Sequence, residues 1–225
     1  MNSTLRFRWL SWLLRPAFHL LYHQFAWTYD LVAAVVSLGW WKRWVYSVKP
    51  YLPGAPILEL GHGPGHLQAA LLRQNRYVFG LDASPQMSRQ ARKRLERLGL
   101  QCNLTQGKAQ ALPFPSGSFI HVTATFPSEY IVDHQTLLEI YRVLKPCGSL
   151  VIVPFAWITG KKTLERLAAW LFRVTGQAPR LTHVEPENLP DNPLDKFHQV
   201  GFHTKVEWLT LGPGCLLVIH ANKPG

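Results

Sequence analysis

The chain has 225 residues, of which 47% are apolar, which argues against intrinsic disorder and allows one α/β domain with an additional segment. Its formal net charge of +11 favours an anionic partner and leaves nucleic acid, a membrane surface and an acidic substrate open. The cysteines Cys102, Cys147 and Cys215 are widely spaced, which fits a reducing compartment such as the cytoplasm and argues against a disulfide framework or a structural zinc site.

Residues 1–50 differ in composition from the rest of the chain. They hold six of the nine tryptophans, six Lys or Arg and a single acidic residue. Apolar residues between Leu10 and Phe25 recur at the spacing of an amphipathic helix. For a transmembrane helix, the stretch Leu31–Trp41 is too short, and Pro16–Trp41 is interrupted by polar residues. We expect a helical lid with two open placements: packed across the sheet, or lying through residues 1–28 on the anionic inner face of a membrane.

Beyond a Pro- and Gly-containing break at 50–56, predicted strands and helices alternate. This alternation predicts a mostly parallel sheet with helices on both faces, so residues 51–225 are assigned to one α/β domain with an insertion at 155–195. The predicted strands are 57–60, 77–81, 102–106, 119–126, 149–154, 204–211 and 215–222, and the predicted helices are 67–74, 85–98, 133–144 and 161–174.

The first predicted strand runs into Glu59-Leu-Gly-His-Gly-Pro-Gly-His66, in which every second residue from Gly61 to Gly65 is glycine. Closely spaced glycines between a strand and a helix let the backbone approach a ligand. The spacing differs from the Gly-x-Gly-x-x-Gly pattern of dinucleotide-binding folds. The segment resembles instead the Glu-x-Gly-x-Gly-x-Gly motif of class I S-adenosylmethionine-dependent methyltransferases.

Three later segments resemble motifs of the same family. Their sequences are similar to those of the family's branch that contains ubiquinone and menaquinone C-methyltransferases and other small-molecule enzymes. Together with the glycine motif they cover residues 57–154. The three segments are Asp82-Ala-Ser-Pro-Gln-Met87, Gly107-Lys-Ala-Gln-Ala-Leu-Pro-Phe114 and Tyr141-Arg-Val-Leu-Lys-Pro-Cys-Gly148.

The resemblance implies a Rossmann-like class I methyltransferase fold: a seven-stranded, mostly parallel sheet with helices on both faces and an N-terminal helical lid. It implies S-adenosyl-L-methionine as cofactor, with the glycine loop at its amino-acid part, Asp82 at its ribose and the segment from Lys108 at its adenine. Lys108 replaces a family Asp, and an ammonium group cannot accept a hydrogen bond from the adenine amino group. Ile120 replaces a second Asp, interpreted as structural. The predicted cofactor residues are Glu59, Gly61, Gly63, Gly65, Asp82, Ala83, Met87, Lys108, Ala109 and Thr125.

The same resemblance implies methyl transfer by in-line displacement, for which the protein supplies alignment, electrostatics and exclusion of water, and no metal. Tyr29 belongs to a Tyr-Asp pair that closes over the cofactor in similar enzymes, and a packed aromatic residue is the alternative. Glu129 and Tyr130 follow the fourth strand, where we expect them to border the acceptor and to orient a nucleophile or take its proton.

Further base candidates are His62 and His134, for which an exposed surface histidine is the favoured interpretation, and the pair His183 and Glu185 in the insertion. No motif in residues 1–50 or 155–225 identifies the acceptor. The favoured hypothesis is a methyltransferase for a small apolar or lipid-like acceptor. An RNA methyltransferase is the alternative that the basic segment 89–97 supports, and a non-catalytic cofactor-binding protein is the one that Lys108 and Ile120 support.

Overall fold

The computed structural model describes Ser37, residues 39–158, Asn192 and residues 194–225. They fall into two compact units. The larger unit holds the described residues of 45–155, 192–209 and 217–225, and the smaller unit holds those of 37–44, 156–158 and 210–216. The predicted helices near residues 10–25 and over 161–174 lie outside the described residues.

The described strands are β1 (Ile57–Leu60), β2 (Val78–Asp82), β3 (Leu104–Gln106), β4 (Phe119–Thr125), β5 (Leu144–Val153), β6 (Ala156–Ile158), β7 (His203–Leu211) and β8 (Gly214–Asn222). They form one sheet in the order β3-β2-β1-β4-β5-β8-β6, with β7 paired to β8. β1 to β5 pair in parallel, whereas β8 is antiparallel to β5. The seven predicted strands are all present, and among the described residues the short β6 is an eighth that the sequence did not predict.

The helices owe their bounds to local sequence signals. The longest described helix, Pro85–Arg97, starts with a proline in its first turn. The Ser84 hydroxyl caps this helix by accepting a hydrogen bond from the Met87 N–H at 3.3 Å. The described α-helices are α1 (Trp41–Val45), α2 (His66–Leu72), α3 (Pro85–Arg97), α4 (His134–Val143) and α5 (Asp195–Val200), and 3-10 helices cover Tyr46–Tyr51 and Glu129–Val132. Among these described helices, none is long and apolar enough to cross a bilayer.

The core of the larger unit lies against the central strands. Leu58 and Leu60 of β1 pack with Val122 of β4 and Ile152 of β5, and all of β1 is buried, as expected for a strand covered on both faces. The strand order reverses between β1 and β4: the sheet is built outward from β1 to β2 and β3 on one side, and the chain then crosses over to place β4 on the other side of β1. Ligands of open parallel sheets bind at the carboxyl ends of the strands near such a point.

In the smaller unit, β6 pairs antiparallel with the first residues of β8, and Trp44 is fully buried. The indole N–H of Trp44 donates a hydrogen bond to the Leu211 carbonyl at 3.1 Å. A Cβ on Gly214 would lie 2.6 Å from the Trp44 ring, so glycine is required where this strand passes the indole.

Candidate functional site

The loop after β1 adopts backbone angles that favour glycine at three positions. Gly61, Gly63 and Gly65 have φ of +66°, +53° and +78°, in the left-handed region that other residues rarely occupy. A Cβ on Gly61 would lie 2.7 Å from the Tyr130 hydroxyl oxygen, whereas a Cβ on Gly63 would meet no heavy atom within 4 Å. The loop therefore opens on the Gly63 side and is covered by Tyr130 at Gly61.

Gly65 serves the packing of two helices. A Cβ at this position would lie 2.8 Å from the Cβ of Ala91, so α2 could not approach α3 as closely with any other residue. Gly65 is also the residue that precedes α2. Its predicted contact with a cofactor stays a prediction, because helix packing already requires glycine here.

The Asp82 carboxylate, at the end of β2, organises two loops. Its Oδ2 accepts a hydrogen bond from the Gly63 N–H at 2.8 Å, and its Oδ1 accepts one from the Ser84 N–H at 2.8 Å. Each oxygen keeps a second lone pair for a further donor. The cap of α3 is Ser84 and not Asp82. Of its neighbours, Ala83 is exposed and Met87 is buried in α3.

Glu59 is buried under the loop, 2% exposed. Burial raises the pKa of its carboxyl group to about 8, with a smaller contribution from the negative charge of Asp82. The Gln68 Nε2 of α2 donates to Glu59 Oε2 at 2.8 Å and to the Phe79 carbonyl at 3.1 Å. Burial therefore favours the neutral acid form of Glu59, which ties β1 to α2, and its predicted cofactor contact stays a prediction.

His62 is buried, with 3% exposure, so the interpretation as an exposed surface histidine was wrong. Its Nδ1 donates a hydrogen bond to the Gly63 carbonyl at 2.8 Å. Burial lowers the pKa of His62, against the opposing charge of Asp82, and keeps the ring neutral. The Gly63 residue is thus fixed on both sides, its N–H by Asp82 and its C=O by His62, and the role of His62 as a base stays a prediction.

The segment after β4 brings one of the two predicted acceptor residues to the glycine loop. Thr125 ends β4 half-buried, and Phe126 has φ of +52° while its N–H donates to the Val153 carbonyl at 2.7 Å. The 3-10 helix Glu129–Val132 then aims the Tyr130 hydroxyl at Gly61 and leaves Glu129 exposed. Tyr130 therefore borders the site directly, whereas Glu129 lies at the surface.

The segment after β3 lies beside Asp82. The Gly107 N–H donates to the Asp82 carbonyl at 3.1 Å, and the Ala111 N–H donates to the Lys108 carbonyl at 3.1 Å, which closes a turn. Ala109 is buried in this turn, and Lys108 is exposed. The Lys108 side chain can therefore supply a hydrogen-bond donor to this edge of the site but no acceptor.

The structure thus brings together Gly61, Gly63, Asp82 and Tyr130, with the turn from Lys108 alongside. His134 is exposed at the start of α4. From the sequence we did not predict that His62 and Asp82 hold one backbone unit between them, and no local pattern signals it, because the two hydrogen bonds join the loop after β1 to the end of β2. Tyr29, His183 and Glu185 lie outside the described residues.

Comparison with known proteins identifies the family to which this arrangement is similar. Residues 57–148 match the family described as "Methyltransferase domain". Over 143 residues the chain is 38% identical to the demethylmenaquinone methyltransferase of Thermus thermophilus, covering 60% of this chain and 64% of that protein. Over 145 residues it is 32% identical to a ubiquinone/menaquinone biosynthesis C-methyltransferase of Shewanella sp., covering 60% of this chain and 58% of that protein. The chain therefore spans less than two thirds of these relatives' lengths.

A solved structure shows the same fold. It is an S-adenosylmethionine-dependent methyltransferase of Thermotoga maritima, described as a possible histamine N-methyltransferase. The match has a TM-score of 0.59 and 22% identity, and it covers 92% of this chain and 99% of that one. The expected Rossmann-like class I fold is thereby confirmed.

Proposed function

We propose that this chain transfers a methyl group from S-adenosyl-L-methionine to a small apolar acceptor, and the match of residues 57–148 to the family described as "Methyltransferase domain" supports this. The observation that carries the proposal is the Gly63 backbone, which Asp82 holds at 2.8 Å and whose open side a Cβ would enter without meeting any atom within 4 Å. A loop held rigidly beside an unfilled space is a preorganised place for a ligand.

The residues present fit this cofactor at the ribose and amino-acid ends. Asp82 keeps one lone pair on each oxygen for two vicinal hydroxyl groups, and Gly63 leaves room for the methionine part. At the adenine end the fit depends on the backbone from Lys108 to Ala111, since Lys108 supplies no acceptor. When bound, S-adenosylmethionine supplies an electrophilic methyl group.

The chain's own residues then align the acceptor and exclude water. The Tyr130 hydroxyl, positioned over Gly61, is the group we assign to orient the acceptor or to take its proton. Glu129 is assigned to the rim of the acceptor site and Tyr29 to the lid formed by residues 1–50. The insertion at 155–195 is proposed to cover the acceptor from the other side.

The acceptor is proposed to be the reduced hydroquinone form of a quinone with an apolar tail, because this electron-rich aromatic ring can attack an electrophilic methyl group and then release a proton. The support is the names of the two relatives, which refer to menaquinone and ubiquinone biosynthesis. Such an acceptor resides in membranes, and we therefore assign residues 1–28 to an anionic membrane surface at the inner face. With this assignment the protein is a peripheral protein of the cytoplasm.

Flotation with anionic and neutral vesicles tests the membrane assignment. The full chain should float with the anionic vesicles, and replacing Arg6, Arg8 and Arg15 by Gln should release it.

A second candidate, methylation of RNA, is favoured by one surface. Arg89, Arg92, Lys93 and Arg97 are exposed along one side of α3, whose opposite side is buried. Basic stripes of this kind bind nucleic acid with an affinity that falls steeply with salt. Binding of bulk tRNA that is absent, or that does not weaken between low and physiological salt, contradicts this candidate.

A transfer assay with radiolabelled methyl groups over quinone, phenolic, lipid and RNA fractions tests the whole proposal. We expect label in the quinone or phenolic fraction, and calorimetry should give a micromolar Kd for S-adenosylmethionine. Label in RNA alone would establish the second candidate. A folded protein that does not bind the cofactor would contradict both and leave a non-catalytic role.

A further inference from the structure

The segment between β3 and β4 is held at two places by side chains or strands outside it. It starts at Gly107, whose N–H donates to the Asp82 carbonyl, and makes the turn at 108–111. Directly after the turn, α4 holds its backbone: Arg142 donates through Nη2 to the Leu112 carbonyl at 3.0 Å and through Nη1 to the Phe114 carbonyl at 2.8 Å. The Leu112 N–H donates to Glu139 Oε2 at 2.7 Å.

Glu139 and Arg142 also bind each other in a two-pronged ion pair. The Arg142 Nε lies 2.7 Å from Glu139 Oε1, and its Nη2 lies 2.8 Å from Glu139 Oε2. The ion pair lowers the pKa of Glu139 and raises that of Arg142, so both are charged at neutral pH. A planar guanidinium fixed in this way still presents N–H groups in set directions, which lysine cannot do.

We propose that Glu139 and Arg142 are positioning residues for the nucleoside end of the cofactor site. This inference rests on the proposed function. Lys108 offers no acceptor, so recognition at this edge falls to the backbone of the 108–111 turn. Backbone contacts are only as accurate as the placement of the turn, and the turn is anchored by Asp82 before it and by Glu139 and Arg142 after it.

A simpler role is a helix-stabilising ion pair between residues three apart on α4. The two roles differ in one substitution. Exchanging the charges, with Glu139→Arg and Arg142→Glu in one protein, keeps an ion pair on α4. It removes the donors to the Leu112 and Phe114 carbonyls and the acceptor for the Leu112 N–H. A helix-stabilising pair survives the exchange, and a positioning pair does not.

The test compares this exchange with Arg142→Gln, Arg142→Lys and a matched control in the full chain. The control is Lys223→Met, because Lys223 donates to the Tyr141 and Leu144 carbonyls at 2.8 Å each, at the same end of α4, without touching the 107–118 segment. We measure the Kd for S-adenosylmethionine and S-adenosylhomocysteine, the KM for the cofactor, kcat, the Tm and hydrogen exchange of peptides covering 107–118.

Arg142→Gln and the charge exchange should weaken cofactor binding about tenfold and raise its KM by a similar factor, with kcat at saturating cofactor within about twofold. Exchange of the 107–118 peptides should accelerate, and Arg142→Lys should recover part of the affinity. Lys223→Met should lower the Tm and leave the Kd unchanged.

Two results overturn the inference. If the charge exchange binds the cofactor as the wild type does, the pair only stabilises the helix. If Lys223→Met weakens binding as much as Arg142→Gln at a similar Tm, the effect comes from α4 as a whole. A wild type that shows no affinity for the cofactor overturns the proposed function and the cofactor role together. Slow exchange at 107–118 that Arg142→Gln accelerates would then still demonstrate that Arg142 holds this segment.

Discussion

At the scale of single residues, Gly63 shows how the site is preorganised. Its N–H and C=O are both used, by Asp82 and His62, and its φ of +53° is one that glycine adopts without strain. The motif in the sequence was sufficient to predict that this glycine matters. It could not show that the histidine beside it is part of the support, because the His62 ring lies next to Gly80 of β2, a contact between separate elements.

Replacing Gly63 by Val should abolish binding of S-adenosylmethionine while the sheet stays folded. The side chain would enter the open side of the loop, where nothing lies within 4 Å, so the cost to folding is the backbone strain of about 1–2 kcal/mol. Calorimetry and circular dichroism check this. Gly99→Val is the matched control, since Gly99 also has a positive φ and open space, away from the site. Retained affinity in Gly63→Val would place the cofactor elsewhere.

Lys108→Asp should strengthen cofactor binding, because a carboxylate can accept a hydrogen bond from the adenine amino group and the ammonium cannot. One such bond contributes about 1 kcal/mol, or a five- to tenfold lower Kd. Lys108→Ala separates the two effects, as it removes the charge without adding an acceptor. If Lys108→Ala gains as much as Lys108→Asp, the missing acceptor is not what limits binding.

At the scale of elements, the sequence predicted those with a strong pattern and missed those without one. The buried runs at 57–60 and 119–126 and the capped helix at Pro85 were found to within a few residues. β6 and α5 were not predicted, because they have three and six residues and are formed by pairing and packing instead of by periodicity. The third strand begins two residues later than expected, since only Leu104–Gln106 pairs with β2.

The close approach of α2 and α3 at Gly65 is an element-level property that substitution can measure. Gly65→Ala should lower the free energy of unfolding by about 2–3 kcal/mol, because the new Cβ would lie 2.8 Å from Ala91 Cβ and residue 65 has a positive φ. Urea unfolding provides the measurement. Adding Ala91→Gly should restore part of the lost stability, because it removes the opposing Cβ. If the double-mutant cycle shows no coupling energy between the two substitutions, the helices can move apart freely.

At the scale of the larger unit, distant parts of the chain are joined by polar groups that no local pattern reveals. The Tyr51 hydroxyl donates a hydrogen bond to Glu207 of β7, which raises the pKa of Tyr51 to about 12. The Tyr51 ring packs edge-on against His220 of β8, with 4.7 Å between the ring centroids. The sequence predicted the order of strands and helices, and hence the fold class. It could not predict such pairings, because they depend on which strand ends become neighbours.

Glu59 makes the stability of the whole molecule depend on pH. Its folded pKa of about 8 lies above the unfolded value of about 4.3, so between these values the folded state holds a proton that the unfolded state releases. The stabilisation of the folded state by protonated Glu59 is therefore complete below pH 4 and is lost as pH rises toward 8.

Glu59→Gln keeps the hydrogen-bonding partner of Gln68 and cannot ionise. Urea unfolding between pH 5 and 8.5 should show the free energy of unfolding of the wild type falling by about 4 kcal/mol more than that of Glu59→Gln, since the loss is about 1.4 kcal/mol per pH unit over most of this range. The exposed Glu96→Gln should behave as the wild type does, and parallel curves for all three proteins would mean that Glu59 is ionised in the fold.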